Sequence, residues 1–382
     1  MSILKKIFFF CLFLFALSLL LWGIYNLSFS NTNTAGQNSS ANPAAPQNGK
    51  NDSAKNSGTI TALVSEAVLA PALTPNGQSV KYFSKDGNGL YEINLDGSNK
   101  NTLDSQTFPG LANAFWSPNQ TTAILQFSQN GQTSFTYKDF STHQETPLKN
   151  NLDQVVWQTS ANRIFYKYYD PKSQERTLNV SDPDGSHWTK LADLPYRYVS
   201  IAQIPKSSLV SFWNTGDAFS QTIFQSVSIL GGTPATILDN VYGADYLWDA
   251  AGDHVLVSHT DSQGGHKMQL AVMNYNGGEY RDLGISTLSS KCVWSSDGKT
   301  VYYALPGNIP ASAIMPNDWN SNQFNTTDTF WKVDIQTGKT TQLVDPKKIQ
   351  QNYDATNLFL NQDESTLFFM NRVDGKLYKI GL

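Results

Sequence analysis

The chain has 382 residues, of which 15% are charged and 40% are hydrophobic, and its formal net charge is −4. It contains no long run of lysine or arginine, so neither nucleic acid nor an anionic lipid surface is indicated as a partner. Its two cysteines, Cys11 in an apolar segment and Cys292 on a predicted strand, are not placed to meet. The composition therefore excludes a nucleic-acid-binding protein and a small scaffold stapled by disulfides.

The N-terminus carries a membrane signal. Residues 7–27 form an uncharged, largely apolar run of 21 residues, which at about 1.5 Å per residue is long enough to span a bilayer core of about 30 Å. Trp22 and Tyr25 lie where interfacial aromatic anchors are found, which favours an uncleaved signal anchor, with cleavage near Ser30 as the alternative. Two lysines in residues 1–6 predict a cytoplasmic N-terminus, with the remaining chain on the extracytoplasmic side.

Residues 28–58 consist almost entirely of Asn, Ser, Ala, Gly, Thr, Gln and Pro. Such a composition cannot bury enough apolar surface to offset the entropy of ordering, so a flexible linker is predicted. As a coil, this linker would have an end-to-end distance of roughly 30 Å. Residues 59–382 are then left to form one extracytoplasmic domain.

A repeated pattern organises that domain: an apolar anchor, a polar turn and a second apolar strand. The clearest copy is 293–304, where Trp294 precedes the turn Ser-Ser-Asp-Gly-Lys and the strand Thr-Val-Tyr-Tyr-Ala. The other anchors, which recur about every 45 residues as in known repeat folds, are Leu73, Trp116, Trp157, Ile204, Trp248 and Leu360. The interval from Trp294 to Leu360 is longer, at 66 residues, because it includes an insertion at 305–327.

Each unit continues into a second pair of short strands around a Gly or Asn turn, as at Asp96-Gly97. Four short strands per unit indicate a propeller blade, so the sequence predicts an all-β, seven-bladed β-propeller at 59–382. The last unit ends after its third strand. The segment 59–64, which precedes the first anchor, is therefore predicted to supply the missing outer strand and remove an open edge.

The copies at 294–303 (Trp-Ser-Ser-Asp-Gly-Lys-Thr-Val-Tyr-Tyr) and 90–98 (Leu-Tyr-Glu-Ile-Asn-Leu-Asp-Gly-Ser) resemble the repeats of TolB-type, WD-repeat-like propellers. The resemblance covers roughly residues 60–382 and implies a propeller of that kind, here in a membrane-anchored bacterial form. TolB proteins carry an α/β domain before the propeller, where this chain has its apolar run and linker instead.

Few residues suggest chemistry. His254, His259 and His266 lie close together in the sequence, but their spacing is loose and neither Cys nor a carboxylate completes a metal set. There is no Gly-x-Ser-x-Gly elbow, and paired carboxylates are recognised by distance and not by sequence spacing. We therefore predict no catalytic residue, no metal and no cofactor. The tryptophans at the repeat positions are predicted to pack between blades.

The insertion at 305–327 occurs in one unit of seven, so the fold does not require it. It contains three prolines with Trp319 and Phe324 among Asn and Ser. Loops on rigid scaffolds often carry binding, and these two aromatics are the candidate partner-binding residues. The alternative is a loop that only covers the blade edge or the channel mouth.

The innermost strands are predicted at 111–116, 152–157, 199–204, 243–248 and 289–294, and they carry few charges beyond Asp153, Asp245 and Lys291. This favours a non-catalytic binding or scaffolding module, tethered to the membrane as a monomeric propeller, that engages a protein, a peptide or an envelope glycan. The alternative is a propeller enzyme, of the lyase or glycosidase type, with its site in the central channel.

Overall fold

The structure is a computed structural model that describes residues 58–382. The predicted cytoplasmic segment 1–6, the membrane segment 7–27 and nearly all of the linker 28–58 lie outside the described residues. Within residues 58–382, no helix has both the length and the apolar character needed to cross a membrane.

Seven sheets, each of four antiparallel strands, make up the described chain. In chain order the strands are β1 (Ile60–Ala62), β2 (Val68–Leu73), β3 (Ser79–Ser84), β4 (Leu90–Asn94), β5 (Asn101–Asp104), β6 (Leu111–Trp116), β7 (Thr122–Gln129), β8 (Gln132–Asp139), β9 (Glu145–Pro147), β10 (Leu152–Trp157), β11 (Ile164–Tyr169), β12 (Arg176–Ser181), β13 (Thr189–Asp193), β14 (Val199–Gln203), β15 (Leu209–Asn214), β16 (Gln221–Ser228), β17 (Ala235–Tyr242), β18 (Asp245–Trp248), β19 (His254–Thr260), β20 (Met268–Asn274), β21 (Arg281–Ile285), β22 (Cys292–Trp294), β23 (Thr300–Leu305), β24 (Thr329–Asp334), β25 (Thr340–Gln342), β26 (Ala355–Leu360), β27 (Thr366–Asn371) and β28 (Leu377–Gly381).

We number the sheets as blades 1 to 7. Blades 1 to 6 take four consecutive strands each, from β2–β5 to β22–β25, and blade 7 consists of β26, β27, β28 and β1. The described helices are short: α1 (Asn317–Asn320) and 3-10 turns at Ser289–Lys291 and Pro346–Lys348. The segment Ser289–Lys291 was predicted as the start of an innermost strand. It forms a 3-10 turn instead, and β22 begins only at Cys292.

The blades close into a ring, which confirms the predicted all-β, seven-bladed propeller. Seven apolar clusters each join two consecutive blades, so that every blade is packed on both faces. The cluster that closes the ring packs Val68 and Tyr82 of blade 1 against Phe368 and Leu377 of blade 7. Burial on both faces explains why a second strand such as β3 is buried along its whole length.

The repeat tryptophans pack between blades, as predicted. The indole N–H of Trp157 donates to the carbonyl of Phe115 in the preceding blade at 2.7 Å, and that of Trp294 donates to Leu247 at 3.0 Å. A buried indole N–H needs such a partner. Each of these tryptophans therefore joins its blade to the preceding one with both apolar contact and a hydrogen bond.

The predicted closing strand is also present. β1 pairs antiparallel with β28, with Ile60 opposite Ile380 and Ala62 opposite Tyr378. The Leu63 N–H extends this pairing with a hydrogen bond to Leu377 at 2.8 Å. The outer strand of blade 7 thus comes from the start of the domain.

Because each blade is an antiparallel meander, its turns lie at two opposite edges of the ring. We call the edge with the turns between first and second strands the lower face, and the opposite edge the upper face. The insertion joins β23 to β24, as predicted, and therefore lies at the upper face. Since Leu305 belongs to β23, the connection itself is 306–328, which we call the strap.

Candidate functional site at the lower end of the channel

A cavity of about 650 Å³ lies among the innermost strands of blades 7, 1 and 2, toward the lower face. It is lined by β2, β6 and β26 together with the turns that follow them. Its polar lining consists of hydroxyl and amide side chains, including Asn113, Asn357 and Gln362, and its apolar lining includes Phe115 and Leu358. None of the lining residues has a titratable side chain.

Two matching bulges shape the cavity wall. In β2 the pairing skips from Leu69 to Ala72, and in β26 it skips from Thr356 to Phe359. The extra residues include Ala70 (φ 48°) and Asn357 (φ 50°). A left-handed backbone is unfavourable for a residue with a side chain, and such conformations concentrate at functional sites. The bulges take these residues out of the strand pairing beside the cavity.

The amide groups around the cavity have unused hydrogen-bonding capacity. The side-chain oxygen of Gln120 is buried and finds no hydrogen-bond partner in the described protein. The side-chain oxygen of Asn113 accepts from the N–H of Ala114 at 2.9 Å, which leaves its two amide hydrogens for another acceptor. A cavity with unpaired amides beside aromatic walls is suited to an uncharged polar ligand.

One feature of the sequence does indicate this cavity. The repeat position is Leu73 in blade 1 and Leu360 in blade 7, where four other blades have tryptophan, and both leucines line the cavity. A smaller side chain at two adjacent blades leaves space at the channel wall. The bulges at Ala70 and Asn357 depend on strand pairing and have no comparable signal in the sequence.

The strap lies across the upper face and contacts three other blades. The bonds that fix it are Ala218 N–H to Asn317 Oδ1 (2.9 Å, blade 4), Met315 N–H to Gly265 O (3.0 Å, blade 5) and Arg372 Nη2 to Trp319 O (2.9 Å, blade 7). The strap begins and ends in blade 6 and is hydrogen-bonded to blades 4, 5 and 7, so it covers part of the upper face. This is the covering arrangement that the sequence left open as the alternative to partner binding.

Trp319, one of the two candidate partner-binding residues, belongs to the strap, and its side chain points inward with only 5% of the residue's surface exposed. Its indole N–H donates to Asp354 at 3.1 Å, and the guanidinium of Arg372 lies 4.0 Å from its ring centroid. Its ring is therefore not available at the surface. Phe324 packs partly buried against the same apolar cluster, and a role in partner binding stays a prediction for it.

Beneath the strap lies a buried charge cluster. Lys291 Nζ donates to Asp328 at 2.6 Å and to Asp354 at 2.7 Å, and none of the three side chains has exposed surface. Thr326 adds a hydrogen bond to Asp328 at 2.6 Å. Burial raises the pKa of Asp328, and the charge of Lys291 offsets part of that effect. Arg372 adds a second cation 3.4 Å from Asp354. The charged groups of the cluster are thus paired within the protein, so the cluster is suited to holding the strap and not to binding a ligand.

The remaining charged residues of the predicted inner strands behave differently. Asp153 pairs with the buried Lys167 at 2.6 Å. Asp245, partly exposed at the upper end of β18, accepts from Ser289 at 2.7 Å and from Trp213 at 3.1 Å, which are both neutral donors. Burial raises the pKa of Asp245.

The three histidines have separate partners. His254 Nδ1 lies 3.1 Å from Asp249, beside a cleft of about 690 Å³ between blades 5 and 6. His259 lies 2.8 Å from the hydroxyl of Tyr280, and His266 lies 2.7 Å from the carbonyl of Ala313. Within residues 58–382, no group of three or more His, Cys, Asp or Glu side chains is placed to hold a metal ion.

No protein-family model matches the chain, and no curated protein sequence matches it. Solved structures do. An oligogalacturonate lyase in complex with manganese superposes with a TM-score of 0.60 at 13% identity, covering 85% of this chain and 94% of that one. An oligogalacturonate lyase from Vibrio parahaemolyticus gives a TM-score of 0.60 at 12% identity, covering 84% of this chain and 93% of that one.

TolB from Acinetobacter baumannii also matches, with a TM-score of 0.47 at 12% identity, and the match covers 75% of this chain and 65% of TolB. At these identities the similarity is one of fold alone. The matches with TM-scores of 0.60 therefore support a β-propeller fold, and they do not identify a function.

Proposed function

We propose that the chain is a membrane-tethered, extracytoplasmic binding module that holds an uncharged peptide segment at the lower end of its channel and catalyses no reaction there. The observation that carries this proposal is the lining of the 650 Å³ cavity, which has amide, hydroxyl and apolar side chains and no titratable one. General acid–base and nucleophilic catalysis need titratable groups, whereas amides suit the recognition of a neutral backbone.

The tether belongs to the same proposal. The apolar run 7–27 and the polar linker 28–58 would hold the propeller near the membrane without orienting it. β1 begins at the lower face because it continues the meander of blade 7 after β28. The linker would therefore enter on the face toward which the cavity lies. A tethered receptor of this kind gains effective concentration for partners in or near the same membrane.

Site-specific photocrosslinking of the full chain in its own envelope tests the binding site. A photoreactive residue in place of Gln362, which lines the cavity, should capture a peptide-containing partner. The same residue in place of Val373, which is 50% exposed at the upper face, should not. Equal capture at both positions would contradict the assignment of the binding site. An adduct that contains only carbohydrate would show that the ligand is a glycan and not a peptide.

A matched pair of substitutions tests whether the cavity itself holds the partner. Leu360→Trp restores the repeat residue and fills the cavity, so capture at position 362 should fall about tenfold, which corresponds to roughly 1.4 kcal/mol of binding free energy. Ile204→Trp restores the repeat residue in blade 4, away from the cavity, and should leave capture unchanged. If both variants behave alike, the partner binds elsewhere.

The membrane part has its own test. External protease applied to spheroplasts should release a propeller fragment that begins within residues 28–58, while the anchor stays with the membrane after a high-salt wash. A mature soluble chain that begins near residue 31 would show a cleaved signal peptide instead.

Catalysis at the upper end of the channel is the second candidate function, and Asp245 is the residue that favours it. Its carboxyl has no cationic partner among the described residues, and burial raises its pKa, as in carboxyl groups that act as general acids. The test is incubation with polysaccharide fragments, oligogalacturonate included, and detection of a new reducing end or an unsaturated product. Activity that Asp245→Asn abolishes would establish this function.

A further inference from the structure

Four lysines are buried almost completely in the described chain: Lys81, Lys138, Lys167 and Lys291. Three of them have a carboxylate within salt-bridge distance. The partners are Glu145 for Lys138 (2.7 Å), Asp153 for Lys167 (2.6 Å) and the Asp328–Asp354 pair for Lys291 (2.6 and 2.7 Å). Lys81 is the exception, because no described carboxylate lies within 4.0 Å of its amine. A buried ammonium without a counter-ion is costly, so this position calls for an explanation.

The groups in direct contact with the Lys81 amine are polar or aromatic but uncharged. Its Nζ donates to the backbone carbonyl of Gln120 and lies 3.5 Å from the ring centroid of Trp116. Glu92 is directly opposite on β4, but its carboxylate accepts from the hydroxyl of Ser79 and forms no salt bridge with the lysine. The amine is therefore held in place by a carbonyl and an aromatic face in the cleft between blades 1 and 2.

These surroundings favour the neutral amine. Burial lowers the pKa of Lys81 to about 7, while the charge of Glu92 raises it only in part. At neutral pH a large fraction of the amine is then unprotonated and has a free lone pair. An ordinary lysine, with a pKa near 10.4, is unprotonated to less than about one part in a thousand at this pH.

A second cavity lies directly beside this amine. It measures about 280 Å³ and is lined by Lys81, Leu90, Leu103, Trp116, Gln120, Thr121, Phe140 and Ser141. Leu103 is 45% exposed, so the cavity has access to solvent. Its walls are mainly apolar and aromatic, with hydroxyl groups at Thr121 and Ser141. A cavity of this size and character suits a small aromatic or branched aliphatic molecule.

We propose that Lys81 is a covalent binding site for a small aldehyde, which it captures as a Schiff base in the cavity between blades 1 and 2. The amine lone pair attacks the carbonyl carbon, a C–N bond forms, and a proton passes from nitrogen to the oxygen to give a carbinolamine. Loss of the oxygen as water leaves the imine. No oxidant or further reactant is needed.

The geometry suits the product as well as the reactant. When the imine is protonated, its positive charge lies over the face of Trp116, where the ring stabilises a cation. Its N–H can keep the hydrogen bond to the Gln120 carbonyl that the amine makes now. The apolar walls restrict water, which opposes hydrolysis. This site is independent of the proposed peptide-binding function, although Trp116 and Gln120 contribute to both cavities.

The test uses the full-length chain with benzaldehyde and cyanoborohydride at pH 7, which traps a Schiff base as a stable benzylamine. Peptide mapping by mass spectrometry then gives the labelling rate of each lysine. Lys81 should be labelled at least about tenfold faster than the exposed Lys206, because far more of its amine is neutral. Lys138 and Lys167, equally buried but paired with carboxylates, should remain unlabelled.

Two further measurements complete the test. The labelling rate of Lys81 should fall as the pH is lowered below about 7. Leu103→Trp, which fills the cavity and leaves the amine in place, should slow the labelling of Lys81 about tenfold without changing that of Lys206. Labelling of Lys81 no faster than that of Lys206, or equal labelling in Leu103→Trp, would overturn the proposal.

Discussion

The ammonium of Lys291 lies 2.7 Å from Asp354, and neither side chain has any exposed surface. Lys291 precedes the first strand of blade 6 and Asp354 precedes the first strand of blade 7, so the contact joins two consecutive blades at the upper end of the channel. Asp328, at the end of the strap, completes the cluster. This contact therefore connects the ring and its covering segment.

Lys291→Met should lower the free energy of unfolding by about 3–5 kcal/mol, because it leaves Asp328 buried without a cation and leaves Asp354 only the guanidinium of Arg372, 3.4 Å away. Burial already raises the pKa of Asp328 above its value in the unfolded chain, and loss of Lys291 raises it further. The native variant then binds a proton at a higher pH than the unfolded chain does, so its stability should increase as the pH falls through that pKa. Denaturant unfolding at pH 5 and 8 measures this, and a deficit that does not narrow at pH 5 would contradict it.

Trp319→Ala should cost about 3–5 kcal/mol of stability, since it removes a buried ring, its stacking on Arg372 and its hydrogen bond to Asp354. Phe324→Ala is the matched control, because Phe324 is in the same apolar cluster but only partly buried. It should cost less than half as much. Chemical denaturation of both variants measures the two losses of stability. A change within about 0.5 kcal/mol for Trp319→Ala would show that the side chain is exposed and not packed into the ring.

The repeat in the sequence was enough to predict the ring, because each anchor and turn is a local pattern that recurs. Trp157 and Trp294 have the inter-blade packing that their repeat positions indicated. The pairing of β1 with β28 also followed from counting strands, since the last unit lacked one. Period and strand count do not depend on side-chain detail, so they can be read without a structure.

The candidate site was predictable only in part, from the leucines that replace tryptophan at positions 73 and 360. Nothing in the sequence shows that Trp319, in a polar, proline-containing loop, is packed into a cluster with residues far from it along the chain. The positive φ of Ala70 arises from the pairing of β2 with β3, which is set by the whole blade. Lys81 resembles any strand lysine until the structure shows that Gln120 and Trp116, about 40 residues away, enclose it.

Deletion of residues 59–64 should destabilise the whole ring. It removes β1 and leaves β28 as an open edge, and it also removes Leu63 and Val64 from the cluster that joins blades 7 and 1. Because that cluster closes the ring, the loss should appear as a lower temperature for a single cooperative transition. Differential scanning calorimetry of the full chain with and without these residues measures it. An unchanged transition would show that β1 contributes nothing to closure.

Ala70→Gly should raise the free energy of unfolding by about 0.5–1 kcal/mol, because Ala70 has a φ of 48° that glycine adopts without steric cost. Ala70→Val should lower it, since a β-branched side chain tolerates this conformation least. Ala72→Gly, in the same strand after the bulge, is the control and should be destabilising. Denaturant unfolding of the three variants measures the differences, and a loss of stability in Ala70→Gly would show that the bulge is not strained.

Lys81→Met should stabilise the protein near neutral pH, in contrast to Lys138→Met. The pKa of Lys81 is about 7 in the native protein and near 10.4 when the chain is unfolded, so the unfolded chain binds the extra proton between these values. The unfolding free energy of the wild type therefore rises as the pH increases from 7 toward 10. The advantage of Lys81→Met, which has no such proton, should be largest at pH 7 and below and should shrink toward pH 10.

Lys138→Met provides the control, because Lys138 is just as buried but has Glu145 at 2.7 Å and Asp104 at 3.4 Å. Its loss leaves both carboxylates without their cation, so this variant should be less stable than the wild type at every pH in the range. Thermal unfolding of the three proteins at pH 6.5, 8 and 9.5 separates the two behaviours. If Lys81→Met is destabilised by the same amount at all three values, Lys81 is an ordinary charged lysine, and the neutral amine that the Schiff-base site requires is absent.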